Sequence, residues 1–208
     1  MSIGSKYDEL AETFTAREYA DPQRYFGRRA RIVVELGPPL EPGDLVLDLA
    51  CADGSGAPPL LDRGLAYLGV DLSEAMIEVA RRRHGDRARF ERADMLAYRP
   101  PEPVAATICF RSLHFVDDRP TFFRRLASFT ELKIVFDADP RRYPPARIRA
   151  DLAAAGLDGM ELHPFFVPQH RALPAPVAAA LAAAETRPAL AGAILRRRFN
   201  VLVAGYRG

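Results

Sequence analysis

The sequence predicts an α/β fold, because short apolar strand patterns alternate with helical patterns from residue 45 onward. Asp48, Asp71 and Asp94 lie near or just past the ends of the first three strands and are spaced 23 residues apart. Parallel strands joined by helices present their carboxyl ends along one edge of a sheet, so these carboxylates can line one cleft. Such a row of acids suits the ribose and adenine of a nucleoside cofactor. The predicted strands are residues 45–49, 66–71, 88–92, 104–110, 132–137, 160–167 and 199–206.

The composition bounds the size and class of the protein. With 208 residues, 49% hydrophobic and 27% charged, the chain suits one domain over 1–208 and has no room for a second catalytic domain. A net charge of +2 is too small to indicate a basic surface that binds the phosphate backbone of a nucleic acid, so we expect no nucleic-acid partner. Two cysteines, no signal peptide and no apolar run that could span a bilayer lead us to expect a soluble, cytoplasmic protein with no membrane partner.

Helical segments precede the first strand and interrupt the last two. Residues 7–36 read as two helices separated by Asp21-Pro22, a favourable N-cap and first-turn pair, and form an N-terminal helical cover over residues 1–40. Residues 173–198 are rich in Ala, Pro, Leu and Arg, and their prolines split them into two short helices. We interpret residues 171–198 as a helical insertion or lid; ordinary packing helices or an amphipathic membrane contact are the alternatives.

Each acid at a strand end has a chemical role available to it. Asp48 lies beneath the backbone amides of residues 50–54, where small side chains let a ligand approach the main chain. Asp71 can accept two hydrogen bonds from a ribose diol, and Asp94 can accept from an exocyclic amine. Any one of them could instead be an ordinary turn or capping residue. The shared register favours the cofactor site.

Three stretches carry a resemblance to a known family. Residues 46–54 (VLDLACADG), 68–76 (LGVDLSEAM) and 93–95 (ADM) resemble the class I S-adenosylmethionine-dependent methyltransferases, and the resemblance extends over residues 7–208. It implies a Rossmann-like, doubly wound, seven-stranded sheet with an antiparallel last strand, an N-terminal helical cover and a helical insertion between strands 6 and 7. It also implies S-adenosylmethionine as the cofactor.

The resemblance implies a role for individual residues. The loop after strand one would hold the methionine part of the cofactor, Asp71 the ribose, and Asp94 with Met95 the adenine. The loop after strand four would lie beside the reactive methyl group, where Arg111 and, from the N-terminal cover, Tyr7 would contact the substrate. The implied cofactor-binding residues are Asp48, Ala50, Cys51, Ala52, Asp53, Gly54, Asp71, Leu72, Met76, Asp94, Met95, Phe110 and Tyr19.

The chain departs from the family at Ala50 and Ala52, where glycines are usual. Two added Cβ atoms face the ligand there, and any position that needs a positive φ is strained with alanine. This departure supports one alternative, a non-catalytic protein that keeps the fold and binds a nucleoside ligand.

Other enzyme classes fit the motifs less well. A nicotinamide-dependent oxidoreductase would carry G-x-G-x-x-G, but the windows from Ala50 and Gly54 do not match it. Nucleic-acid amine methylation would typically use Asn or Asp before Pro-Pro and an aromatic residue after strand four, where this chain has Phe-Arg-Ser-Leu. Asp137 and Asp139 are the local candidates for a metal site, but a turn before Pro140 explains them better, so we expect no metal.

These observations favour methyl transfer to a small-molecule acceptor by in-line displacement. Alignment of the acceptor with the methyl–sulfur bond is the main requirement. His114 is the best-placed candidate base if the acceptor is a phenol or hydroxyl, whereas an amine or a carboxylate needs no base. Arg111 could pair with an acidic acceptor. The acceptor atom and the oligomeric state stay open.

Overall fold

The computed structural model describes residues 10–196 and 199–208 and contains one seven-stranded sheet in the order β3-β2-β1-β4-β5-β7-β6. Strands β1 to β5 run parallel, and β7 lies antiparallel between β5 and β6. This order is the Rossmann-like, doubly wound arrangement with an antiparallel last strand that the sequence predicts. The strands are β1 Leu45–Leu49, β2 Ala66–Asp71, β3 Arg89–Arg92, β4 Val104–Cys109, β5 Thr130–Ala138, β6 Gly159–Phe165 and β7 Asn200–Tyr206.

Helices cover both faces of the sheet and begin where local signals predict. The Asp21 side chain accepts a hydrogen bond from the Arg24 amide at 3.1 Å, and Ser73 caps the fourth helix by accepting from the Met76 amide at 3.2 Å. The α-helices are α1 Phe14–Glu18, α2 Pro22–Glu35, α3 Pro58–Leu61, α4 Glu74–His84, α5 Arg119–Ala127, α6 Pro145–Ala153, α7 Ala175–Glu185 and α8 Pro188–Leu195. Short 3₁₀ turns occupy Ala11–Thr13, Gly85–Arg87 and Leu113–Phe115.

Some predicted strand ends are wrong by one or two residues at the cleft edge. The fourth strand was predicted to reach residue 110 and ends at Cys109, and the sixth was predicted to reach residue 167 and ends at Phe165. In both cases the apolar pattern continues past the last paired residue, because the following side chains are buried in the loops: Phe110 and Phe166 are 7% and 2% exposed. Burial in a loop and burial in a strand look alike in a short apolar run.

The core consists of two apolar layers, one on each face of the sheet, because neighbouring strand residues point to opposite sides. Val46 belongs to the layer beneath α2, and Leu47 belongs to the layer beneath α5. The Lys133 side chain crosses to the end of α2, where Nζ donates to the carbonyl groups of Val34 and Leu36 at 3.0 and 2.8 Å. The C-terminus of α2 is thereby fixed against the sheet, which sets the position of the N-terminal cover.

The insertion between β6 and β7 packs beside α2 rather than over the carboxyl edge of β1. A buried ion pair joins Arg28 of α2 to Glu185 of α7, and Glu185 also accepts from the Phe166 amide at 2.8 Å. The two predicted helices are confirmed as α7 and α8. A lid role for this segment has no supporting contact, because none of residues 171–196 lines the main cleft described below.

No single helix within residues 10–196 and 199–208 is both long enough and apolar enough to cross a bilayer; α7 and α8 together meet that test on length and composition alone, with a 110° bend between them.

Candidate active site

A cleft of about 520 Å³ opens at the carboxyl edge of β1, β2, β3 and β4, where the sequence predicts the site. Its wall on the other side comes from α1, α2 and the turn before them. Open parallel sheets bind ligands at this edge. Of the predicted cofactor residues, those lining the cleft are Tyr19, Asp48, Ala50, Cys51, Ala52, Asp53, Asp71, Leu72, Met76, Asp94, Met95 and Phe110.

The loop after β1 forms the floor of the cleft in a strained conformation. Ala50 and Ala52 have φ values of 62° and 50°, in the left-handed region that favours glycine. The Ala52 amide donates to Asp71 Oδ2 at 2.9 Å, and the Cys51 amide donates to the Val70 carbonyl at 3.0 Å. These bonds hold the loop against the end of β2 despite the unfavourable φ values.

Asp48 is buried beneath this loop at the centre of the cleft and is 4% exposed. The Tyr67 hydroxyl donates to its Oδ2 at 2.6 Å. Burial raises the pKa of Asp48 to about 6, while the Tyr67 hydrogen bond and the charge of Arg29 partly oppose that rise. The carboxylate is therefore largely ionised at neutral pH, and it would be stabilised further by a cation bound in the cleft.

Arg29 of α2 is a second buried charge that the sequence reasoning missed. Its guanidinium lies over the ring of Phe110, 4.2 Å from the centroid, and also contacts the rings of Tyr25 and Phe26. A Cβ added at Gly56 would lie 3.6 Å from Arg29 Nη2 and 3.5 Å from Asp48 Oδ2, so both charges border the same point of the cleft.

Among the described residues, no hydrogen bond or ion pair engages this guanidinium, although Arg29 is only 8% exposed. An arginine rarely lies so deep without a partner. One signal was present in the sequence. Arg29 lies on the buried face of α2, with Phe26 about one turn before it and Val33 about one turn after it. A cation on a buried helix face indicates either a buried ion pair or a ligand.

The β2 and β3 end of the cleft combines carboxylates with apolar surface. Asp71 Oδ1 accepts from the Ser73 amide at 3.0 Å, and Asp94 Oδ1 accepts from the Leu96 amide at 2.8 Å, so both acids also order the turns that follow their strands. Leu72 is 43% exposed, whereas Met95 is buried. Met76, which is also buried, lines the same end. A flat apolar group could lie between them with polar groups at its edge.

Asp53 and Gly54 contribute to packing more than to the cleft surface. Asp53 is 1% exposed; it accepts from the Thr15 hydroxyl at 2.7 Å and from Arg83 Nη1 at 2.5 Å. We name the trio Thr15, Asp53 and Arg83 the N-terminal latch, because it joins α1 to the β1 loop and α4. Gly54 does not line the cleft, and a Cβ there would lie 3.0 Å from side chains of α4 and β3.

Phe110, Arg111 and His114 form the far end of the cleft, together with Tyr19. Tyr19 is buried, and His114 is exposed with its ring 3.9 Å from that of Phe115. The predicted substrate contact Tyr7 lies outside the described residues. Within the described parts of the chain, no group of three or more His, Cys, Asp and Glu side chains could hold a metal ion.

Comparison with known proteins points to one family. Residues 46–131, which include β2 to β4, all but the first residue of β1, and Asp48, Asp71 and Asp94, match the family model described as a methyltransferase domain. Trans-aconitate 2-methyltransferase from Rhizobium meliloti (strain 1021) is 31% identical over 116 residues, which are 55% of this chain. These matches support the resemblance of the chain to the class I S-adenosylmethionine-dependent methyltransferases. The match spans 44% of the length of that relative.

Solved structures share the fold of this chain at low identity. One, with a TM-score of 0.70 and 19% identity, comes from the complex between the Haloferax volcanii Trm112 methyltransferase activator and a methyltransferase; the match covers 99% of this chain and 97% of that one. Magnesium protoporphyrin IX methyltransferase from Synechocystis PCC 6803 was solved with bound S-adenosylmethionine. Its TM-score is 0.65 at 18% identity, and the match covers 98% of this chain and 96% of that one. These likenesses concern the fold alone.

S-adenosylmethionine is the cofactor of this methyltransferase family, and the cleft has a chemical match for each of its parts. The ligand carries an ammonium and a carboxylate at one end, and a ribose with an adenine at the other. Asp48 and the Arg29 guanidinium border the same point of the cleft beside Gly56, while Asp71, Asp94 and the apolar side chains lie towards β3. The donor set therefore fits the cofactor.

Proposed function

We propose that this protein transfers a methyl group from S-adenosylmethionine to a small-molecule acceptor by in-line displacement. The observation that carries the proposal is the order of groups along one cleft. Acids and apolar side chains lie at β2 and β3, the Asp48–Arg29 pair lies at β1, and an aromatic and basic end lies at β4. An extended cofactor in this order would present its sulfur towards β4.

Three charged groups orient the cofactor in this proposal. Asp71 accepts from the ribose hydroxyls, and its own turn amides hold the carboxylate in place. Asp48 pairs with the ammonium group, and Arg29 pairs with the carboxylate of the methionine part. Buried charges of opposite sign that each gain a partner can contribute more than surface pairs, because solvent screens them less.

When bound, the cofactor supplies a methyl group on a positively charged sulfur. The protein's part is to hold the acceptor in line with the methyl–sulfur bond and to exclude water, and alignment alone can contribute about 7–11 kcal/mol. Phe110, Tyr19 and Phe115 surround the far end of the cleft with ring surface. His114 lies at the same end, where it would remove the proton of a hydroxyl acceptor.

A coupled assay tests the proposed function. The purified protein is incubated with S-adenosylmethionine and a panel of small molecules, including trans-aconitate because of the relative named for it, and S-adenosylhomocysteine and methylated product are measured together. We expect equal amounts of both with at least one acceptor. Absence of product with every acceptor, in a protein that binds the cofactor, would favour the second candidate.

The second candidate function is a non-catalytic protein that binds a nucleoside ligand. The positive φ values of Ala50 and Ala52 favour it, since the added Cβ atoms lie on the cleft floor. Restoring glycine at both positions distinguishes the candidates. A methyltransferase whose loop already holds S-adenosylmethionine gains little affinity for it from the change, whereas a protein whose loop is adapted to a different nucleoside ligand gains affinity for S-adenosylmethionine.

A further inference from the structure

An arginine and a glutamate face each other at the β4 end of the cleft. Arg111 Nη1 lies 3.6 Å from Glu18 Oε2 and 3.5 Å from the Tyr19 hydroxyl. Glu18 Oε2 also accepts from Gln169 Nε2 at 3.2 Å. Arg111 and Glu18 both line the cleft, so the pair lies where the proposed function needs its acceptor.

The backbone of Arg111 is held in a strained conformation. Its φ is 56°, in the left-handed region that is unfavourable for a residue other than glycine. The Arg111 amide donates to Asp137 Oδ1 at 2.7 Å, and Asp137 Oδ2 accepts from Asn200 at 3.0 Å. Two neighbouring strands thus fix the start of this loop. Strain of this kind persists where the surrounding structure over-determines a residue, and it is concentrated at functional sites.

The guanidinium of Arg111 keeps unused donors. Within the described residues, Nε and Nη2 have no hydrogen-bond partner, and the side chain is 37% exposed. The ion pair with Glu18 is long and partly solvated, so it is weak. A ligand carboxylate that accepts two hydrogen bonds from the guanidinium would bind it more strongly than Glu18 does. Glu18 could then keep its hydrogen bond from Gln169.

We propose that the acceptor is an organic acid whose carboxylate replaces Glu18 on Arg111. This inference rests on the proposed function, because it names the class of acceptor for the same cleft. Glu18 holds the position of the acceptor's carboxylate until the acceptor arrives. The surrounding rings of Tyr19, Phe110 and Phe115 favour an acid with a flat apolar body. The positive sulfur of the cofactor adds attraction for an anion at this end of the cleft.

The test measures carboxylate binding to the protein saturated with S-adenosylhomocysteine, so that no turnover is required. Benzoate, phenylacetate, cinnamate and fumarate are titrated by calorimetry, each beside its neutral amide. The variants are Arg111→Gln and Glu18→Gln, with Arg87→Gln as a matched control that removes an exposed arginine from the opposite edge of the sheet, where it pairs with Asp62. Thermal melting of each variant reports whether it folds.

We expect at least one acid to bind and its amide not to bind. Arg111→Gln should weaken acid binding about tenfold or more, Glu18→Gln should strengthen it by several-fold, and Arg87→Gln should leave it unchanged. Binding of amides as well as acids, no binding of any acid, or acid binding in Arg111→Gln that is unchanged or tighter would overturn the proposal. Failure of S-adenosylhomocysteine to bind would instead reject the proposed function itself.

Discussion

Replacing Ala50 or Ala52 with glycine should make the protein more stable, although both changes remove a side chain. The two residues have φ values of 62° and 50°, and each lines the floor of the cleft. Alanine resists this conformation because its Cβ approaches the following carbonyl oxygen, whereas glycine adopts it freely. The substitution therefore relieves strain in the folded state.

The expected size follows from two opposing terms. Relief of the left-handed conformation contributes about 1–2 kcal/mol per residue. The greater freedom of glycine in the unfolded chain offsets about 0.5–1 kcal/mol of that gain. Each variant should therefore gain about 0.5–1 kcal/mol, which is roughly 1–4 °C in melting temperature for a domain of this size. The double variant should gain nearly twice as much, unless the two neighbouring sites are coupled.

Thermal and denaturant unfolding of the single and double variants measure this effect. The matched control is Ala57→Gly in the same loop, where φ is −69° and the side chain is fully buried. There the change relieves no strain and removes a packed methyl group, so a loss of about 1–2 kcal/mol is expected. Equal destabilisation of Ala50→Gly, Ala52→Gly and Ala57→Gly would refute the strain argument.

Three further predictions concern charged and capping groups. Affinity for S-adenosylmethionine should fall by up to about tenfold between pH 6 and pH 5, because Asp48, with its pKa raised to about 6, becomes protonated and loses its attraction for an ammonium group. Thr15→Val should accelerate cofactor release several-fold, measured by stopped-flow fluorescence, because the hydroxyl that binds Asp53 is removed. Lys133→Met should lower the unfolding free energy by about 2–3 kcal/mol, because two carbonyl groups at the end of α2 lose a charged donor.

Each of these three has its own control. Asp48→Asn removes the titrating group, so its cofactor affinity should be weak and independent of pH between about pH 5 and 7. Asp48→Asn should also make the unliganded protein more stable near pH 7. In the wild type the pKa of Asp48 is higher in the folded state than in the unfolded chain, so protonation of Asp48 stabilises the folded state. That stabilisation is lost as pH rises through about 6. Thr15→Ser keeps the hydroxyl and should release cofactor at the original rate. Lys133→Arg keeps the positive charge but changes the shape of the side chain, so it separates the effect of the charge from the effect of the fit. These predictions would be contradicted if the wild type bound S-adenosylmethionine with the same affinity at pH 6 and pH 5, or if Lys133→Met had the same unfolding free energy as the wild type.

The strands and their acids were predictable because their signals are local. Asp48, Asp71 and Asp94 each lie within two residues of a strand end, and parallel topology then brings them to one edge without further information. The N-caps Asp21 and Ser73 were likewise readable from a few neighbouring residues. The antiparallel position of β7 between β5 and β6 followed from the family resemblance and was not determined by its apolar pattern.

The rest of the site depends on tertiary packing. Arg29 lies on a helix before β1 and borders the same point of the cleft as Asp48 only because α2 packs across the sheet, so its distance in sequence hid its role. Gly54 looked like a ligand-binding glycine, but it is needed for close packing of α4 against β3. The position of the α7–α8 insertion depends on the Arg28–Glu185 ion pair, which no local pattern indicates. The positive φ of Arg111 depends on Asp137, from another strand.

Calorimetric titration with S-adenosylmethionine and S-adenosylhomocysteine tests the central claim most directly, with NAD and NADP as ligand controls. We predict micromolar binding of both sulfur ligands, none of the nicotinamide ligands, and a loss of about 10- to 100-fold in Asp71→Ala but not in Asp86→Ala, an exposed acid outside the cleft. Asp71→Asn, with an amide that can still accept from the turn, separates loss of ligand binding from loss of folding. A folded wild type that binds neither sulfur ligand, or an Asp71→Ala variant that binds them as tightly as the wild type, would contradict the account.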